Sequence, residues 1–74
     1  MRLPEQWTLI AESVWMGDRA RGGNQWIENP KAVISLADAR RLFRQGSILM
    51  TQKRLENGNM GLMIKVASRE QKND

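Results

Sequence analysis

The side chains of this sequence that could do chemistry are arginines and lysines rather than the usual catalytic groups. Histidine, cysteine and tyrosine do not occur among the 74 residues, and the eight acidic residues are scattered along the chain. Catalysis would therefore depend on Asp, Glu, Lys, Ser or Thr, and no recognisable motif or carboxylate pair brings such groups together. We expect a protein that is not an enzyme, with no cofactor, no metal ion and no small-molecule substrate.

Arg40, Arg41 and Arg44 form the densest basic cluster. On a helix they would share one face, and each guanidinium can donate two hydrogen bonds to a phosphate or a carboxylate. A solvated helix end, where the dipole favours arginine, would explain the same residues. The net charge of +4 is concentrated in residues 31–74, so an anionic partner is expected.

Further basic residues lie in a loop and in a predicted strand. Arg19 and Arg21 stand among glycines, where a flexible main chain can follow a groove, although an ordinary exposed loop has the same composition. The residues expected to bind nucleic acid or an acidic protein surface are Arg40, Arg41, Arg44, Arg19, Arg21, Lys53 and Arg54.

Large apolar side chains are the other candidates for binding. The three tryptophans are three of only four aromatic residues, and in a small chain they are most simply part of the core. Alternatively, a tryptophan is an interface anchor, and methionine suits an adaptable interface. The expected anchors are Trp7, Trp15, Trp26 and Met63.

The clearest predicted element is a helix at about 36–45. Ser35 is a suitable N-cap, and Gly46 suits the position after the last turn. The apolar residues recur at helical spacing and are expected to face the core: Leu36, Ala39 and Phe43, with Leu42 at the edge.

A β-hairpin over about 48–67 is the second clear element. Asn57-Gly58 is a strong signal for a two-residue type I′ turn, which needs a positive φ at both residues. That turn would pair Leu49 with Val66 on the apolar face. The opposite face lacks an aromatic residue and would not stack nucleobases; it would hold Gln52, Arg54, Met63 and Lys65.

The first third of the sequence fits two structures, because residues 7–16 have apolar residues at both helical and alternating spacing. We favour a strand, which would let Trp15 meet Trp26 across a glycine-rich loop. The expected fold is α+β, a small single domain with one helix packed on an antiparallel sheet in the order ββαββ. The alternative has an additional N-terminal helix at about 4–16.

Length and hydropathy bound the remaining possibilities. Residues 1–67 are expected to form a single domain, and residues 68–74, which lack apolar side chains, a disordered tail. No apolar run is long enough for a signal peptide or a membrane span, so we expect a cytoplasmic protein without membrane contact. A core this small would gain from a homo-oligomer.

Two functions follow from these observations. The first is a small regulatory binding protein that contacts nucleic acid, mainly at phosphates, through a basic helix face and basic loops. The alternative is a protein–protein interaction module, such as a small inhibitor or adaptor, that docks on an acidic or hydrophobic partner surface. The size and the basic helix with its hairpin are similar to those of small phage or mobile-element regulators, although no motif carries that resemblance.

Overall fold

The protein combines one α-helix with a four-stranded antiparallel sheet in a computed structural model that describes residues 2–67. The elements are β1 (Thr8–Trp15), a 3₁₀ turn (Arg19–Arg21), β2 (Asn24–Glu28), α1 (Leu36–Arg44), β3 (Ile48–Arg54) and β4 (Met60–Val66). The spatial order of the strands is β2-β1-β4-β3. The predicted α+β fold in the order ββαββ is confirmed, and the predicted tail at 68–74 lies outside the described residues. None of the helical segments within residues 2–67 is both long and apolar enough to cross a membrane.

The N-terminal segment forms a strand because it occupies the centre of the sheet, between β2 and β4. The apolar residues of β1 depart from strict alternation because the strand contains a β-bulge. The pairing of β1 with β4 shifts between Leu9 and Ala11. Ile10 and Ala11 are consequently both buried, at 1% and 0% exposure, because a bulge can turn two consecutive side chains toward one core.

Capping interactions decide where α1 begins. The Ser35 hydroxyl accepts a hydrogen bond from the Asp38 amide at 3.1 Å, as the predicted N-cap requires, and the Glu28 carboxylate accepts one from the Leu36 amide at 3.1 Å. Phe43 was wrongly predicted to face the core, since it is 48% exposed. It lies in the last turn of α1, about 40° around the helix from the buried Ala39, on the side that also carries Arg40 and Arg44.

The β3–β4 hairpin differs from its predicted register by one residue. The Leu55 amide donates to the Asn59 carbonyl at 2.8 Å, so the loop between them has three residues rather than two. Only Gly58 of this loop has a positive φ, of +91°, so the type I′ turn was a wrong prediction. An Asn-Gly dipeptide also suits a three-residue loop that ends in a left-handed glycine, and the dipeptide alone does not select the loop length.

The shift by one residue moves every β3 side chain to the opposite face of the sheet. We call the face that packs on α1 the inner face and the other the outer face. Pairing of Met50 with Ile64 and of Gln52 with Leu62 puts these β3 residues on the inner face. The predicted polar face was therefore wrong, because Gln52 and Arg54 lie on the inner face and Met63 and Lys65 on the outer face. The predicted pairing of Leu49 with Val66 was wrong for the same reason.

The core lies between α1 and one half of the inner face. Its buried residues are Ile10, Ala11, Ile34, Leu36, Ala39, Ile48, Leu62 and Ile64. The strand residues among them lie in the half of the sheet nearer the starts of β1 and β3. Burying one large aliphatic side chain contributes about 1.5–3 kcal/mol, so this half of the sheet supplies most of the hydrophobic stabilisation.

Substitution of Gly58 by Ala tests the observed turn. We expect the free energy of unfolding to fall by about 1 kcal/mol, because only glycine adopts a positive φ without a steric penalty. Urea denaturation followed by tryptophan fluorescence measures the change. Glu56→Ala is the matched control in the same loop, where φ is negative, and an equal loss in that variant would contradict the assigned turn.

Candidate functional site

Half of the inner face is not covered by α1. The helix begins beside Glu28, at the β2 edge, and only three residues separate its end from the start of β3 at the other edge. It therefore covers the half of the sheet that contains the core. The remaining inner-face residues are exposed or half-buried, and we call them the open inner face. They are Ser13, Trp15, Asn24, Trp26, Gln52, Arg54 and Met60.

Two tryptophans stand on the open inner face. Trp15 pairs with Asn24, and Ser13 with Trp26, so the two indoles are diagonal neighbours on one side of the β1–β2 hairpin. Trp15 is 52% exposed, whereas Trp26 is half-buried and packs against the core. At Gly23 an added Cβ would lie 3.1 Å from the Trp15 ring, so this glycine leaves room for the indole. About half of the Trp15 side chain is therefore accessible to solvent, while Trp26 belongs to both the edge of the core and the surface.

The polar members of the open inner face are neutral or basic. Arg54 is exposed, and its Nη1 donates to the Gly58 carbonyl at 2.9 Å, which holds the guanidinium beside the β3–β4 turn. Gln52 lies one pair further along the same side of β3. None of the open-inner-face residues defined above is acidic. An anionic ligand would therefore meet no carboxylate on this surface.

The predicted arginine face of α1 is divided into two parts. Arg41 Nη1 lies 3.0 Å from the Asp38 carboxylate. This pair is exposed to solvent and stabilises the helix by about 0–1 kcal/mol, but it offsets the charge of Arg41. Arg40 and Arg44 are also exposed. Because each residue turns the helix by about 100°, these two arginines lie about 40° apart, on the side of the helix that also carries Phe43.

The handedness of the sheet decides whether Arg40 and Arg44 of α1 point toward the open inner face or away from it. The Met16 amide donates to the carbonyl of Gly23, which directly precedes β2, at 2.9 Å. Met16 follows the inner-face residue Trp15, so the residues of β1 that bond toward β2 are those of the outer face. With the inner face toward the viewer and β1 running upward, this puts β2 on the left and β3 on the right. A right-handed helix that runs from left to right with Ala39 against the sheet then turns Arg40 and Arg44 toward the open inner face.

The other predicted basic residues are not all brought to this surface. Lys53 lies on the outer face, because it pairs with Gly61 and is one residue from Arg54. Arg19 and Arg21 belong to the 3₁₀ turn between β1 and β2. This turn lies at the same end of the sheet as the β3–β4 turn, since β1 and β4 are paired neighbours, and the exposed Arg19 borders that end.

The outer face carries the other two predicted anchors. The Lys65 ammonium lies 5.2 Å from the centroid of the Trp7 ring, and Met63 is half-buried between neighbouring strands. The four predicted anchors are therefore divided between the faces. Trp7 and Met63 lie on the outer face, and Trp15 and Trp26 lie on the inner face. Within residues 2–67 no cluster of His, Cys, Asp or Glu could hold a metal ion.

Glu12 is a residue of the outer face that sequence reasoning missed. Its Oε2 accepts hydrogen bonds from the side-chain amides of Asn59 at 2.6 Å and Asn57 at 2.7 Å. These bonds favour the charged carboxylate and lower the pKa of Glu12 below its ordinary value. Glu12 is far from this turn in the chain, and no local signal in the sequence predicts the contact.

Comparison with known proteins identifies no family for this chain. No protein-family model, no curated protein and no solved structure matches it. The arguments for a function therefore come from the two faces of the sheet, their exposed side chains and their charges.

Replacing Glu12 by Gln tests the contact with the β3–β4 turn. Because the pKa of Glu12 is lowered in the folded protein, its charge stabilises the fold above the unfolded-state pKa, and this contribution is lost as the pH falls through the folded-state pKa. We expect the wild type to be more stable than Glu12→Gln at pH 7 and the difference to shrink on acidification. Urea denaturation at several pH values measures it, with Glu56→Gln as the control for an exposed carboxylate in the same turn. A difference that is independent of pH would contradict the assignment.

Proposed function

We propose that this protein is a small non-enzymatic binding module that holds single-stranded nucleic acid on the open inner face. The observation that carries the proposal is that Trp15 and Trp26 share this face with Arg54 and that no carboxylate lies among its residues. Aromatic rings stack nucleobases of any sequence, and arginines contact phosphates. A sheet that combines the two is a common design for binding single strands.

The dimensions of the surface suit a short stretch of single strand. Trp15 lies on β1 and Arg54 on β3, two strands away, and neighbouring strands are about 4.8 Å apart. A chain of a few nucleotides that crosses the sheet would thus meet an indole on one side and guanidinium groups on the other. Arg40 and Arg44 extend the positive charge along the helix side of this path.

The same arrangement favours weak dependence on sequence. Stacking and phosphate contacts carry little information about the base, and the described surface offers few neutral hydrogen-bonding groups for base edges, chiefly Gln52 and Asn24. α1 has only nine residues and is packed on the sheet along one side. Single strands are therefore better ligands for this face than duplexes are.

Replacement of Trp15 by Ala tests stacking. We expect binding of a labelled single-stranded oligonucleotide to weaken roughly 5- to 150-fold, which corresponds to the loss of about 1–3 kcal/mol for one stacked base. Fluorescence anisotropy with single-stranded DNA, single-stranded RNA and duplex DNA measures the affinity. Trp7→Ala is the matched control, because Trp7 packs with Lys65 of the outer face. The proposal is wrong if the wild type binds none of these polymers at low salt, or if both variants lose affinity equally.

The salt dependence of binding tests the arginines of α1. In the double variant Arg40→Ala/Arg44→Ala, the slope of log K against log salt concentration is expected to become shallower by about 1.4, since each phosphate contact on a single strand contributes about 0.7. Arg41→Ala is the control, because Asp38 already pairs with that guanidinium, and we expect a smaller change. An unaltered slope in the double variant would remove these two arginines from the binding surface.

A further inference from the structure

The outer face is a second uncovered surface, and its composition differs from that of the open inner face. Apolar side chains are exposed on it, among them Ile27 at 45% and Leu49 at 43%. They lie on both edge strands as well as in the middle of the sheet, where Leu9 and Leu55 approach each other above Gly61. A domain of this size is only marginally stable on its own, and exposed apolar side chains grouped on one face often mark a contact with a partner.

Two opposite charges lie in one row across this face. Glu12 pairs with Gly61, and Gly61 pairs with Lys53, so the three residues stand side by side on β1, β4 and β3. The strand spacing puts Glu12 and Lys53 about 10 Å apart. The Glu12 carboxylate bonds instead to the amides of the β3–β4 turn. The charge of Lys53, which is exposed, is thus available to a carboxylate of another molecule.

We propose that the outer face binds a second copy of this chain, with a two-fold axis that runs along β4. Such an axis lies between the two sheets and places β1 of each copy over β3 of the other. Glu12 then faces Lys53 of the partner subunit, and by symmetry the same pair forms a second time. A row with an acidic residue on one side of a glycine and a basic residue on the other side is complementary to its own copy under this two-fold rotation.

The other rows of the face are also compatible with this packing. Trp7 and Leu49 stand on either side of Lys65, and Val14 and Leu55 each lie two residues beyond the charged pair. The symmetry puts Trp7 over Leu49 of the partner subunit and Val14 over Leu55 of the partner subunit. Lys65 stands on the axis, but its ammonium lies over the Trp7 ring, 5.2 Å from the centroid, and is thereby turned away from its own copy. Gly61 lies on the axis, where the Leu9 and Leu55 side chains cover it, and sheets that pack face to face lie about 10 Å apart.

The size of the face predicts a dimer that forms in a concentration-dependent way. The axis along β4 brings β1, β4 and β3 of the two copies into contact, and three strands at about 4.8 Å and seven residues at about 3.3 Å give a surface of about 14 by 23 Å. This is roughly 300 Å², well below the area of about 800 Å² per partner in a typical stable interface, so we expect a weak dimer. The dimer would leave both open inner faces on its outside, so it does not compete with binding there.

Sedimentation velocity over a range of protein concentrations tests the dimer with the full chain, whose monomer mass is 8.5 kDa. The wild type is expected to shift toward twice this mass as the concentration rises. Lys53→Glu brings two pairs of like charges together and is expected to weaken dimerisation about tenfold or more. Arg54→Glu is the matched control: it makes the same change of charge one residue away on the inner face and leaves dimerisation unchanged.

The double variant Glu12→Lys/Lys53→Glu completes the test. Exchange of the two charges restores the pairing across the axis, so the double variant is expected to dimerise more tightly than Lys53→Glu alone. Met63→Lys, which puts like charges at the axis itself, is a second test that retains the Glu12 contacts, and it is expected to give a monomer with an unchanged circular dichroism spectrum. A wild type that stays monomeric at every concentration overturns the proposal and assigns the outer face to a different partner. Equal weakening by Lys53→Glu and Arg54→Glu overturns it as well.

Discussion

The pairing of β4 with β1 and β3 is the constraint on which the rest of the structure depends. β4 joins the N-terminal strand to the C-terminal hairpin, and its backbone hydrogen bonds set the register of both neighbours. Leu62 and Ile64 thereby enter the core, while Gly61 and Met63 reach the outer face. Because side chains alternate along a strand, a slip of one residue on either side would exchange a neighbour's core residues for its surface residues.

The length of α1 decides how much of the sheet becomes available for binding. A helix of nine residues is about 13 Å long, and between its capping contacts at Glu28 and the start of β3 it covers only the half of the inner face that contains the core. The tryptophans and Arg54 lie beyond it. A longer helix would bury more apolar area but would also cover this surface, so the modest core and the open inner face have a common cause.

The two faces of the sheet differ in composition because side chains alternate along each strand. Arg54 and Lys53 are neighbours in the chain but point to opposite sides, one toward an acid-free surface with indoles and the other toward an apolar surface with Glu12. A change of charge at one of these positions is therefore a control for the other. In a thin two-layer domain this separation follows directly from the alternation of side chains along β3.

Local signals in the sequence determined the elements, and the tertiary structure decided which residues share a surface. Ser35 and the apolar spacing after it predicted α1, and the turn residues and apolar alternation predicted the C-terminal hairpin and the ββαββ order, because capping and turn chemistry act within a few residues. The loop of three residues at Gly58, the bulge at Ile10 and the contact of Glu12 with the distant turn could not be predicted. They depend on hydrogen bonds and packing between segments far apart in the chain, which residue spacing does not encode. For that reason the sequence identified the basic residues as candidates. Only the fold showed that Lys53 and Arg54 lie on opposite faces and that the tryptophans Trp15 and Trp26 share a face with Arg54.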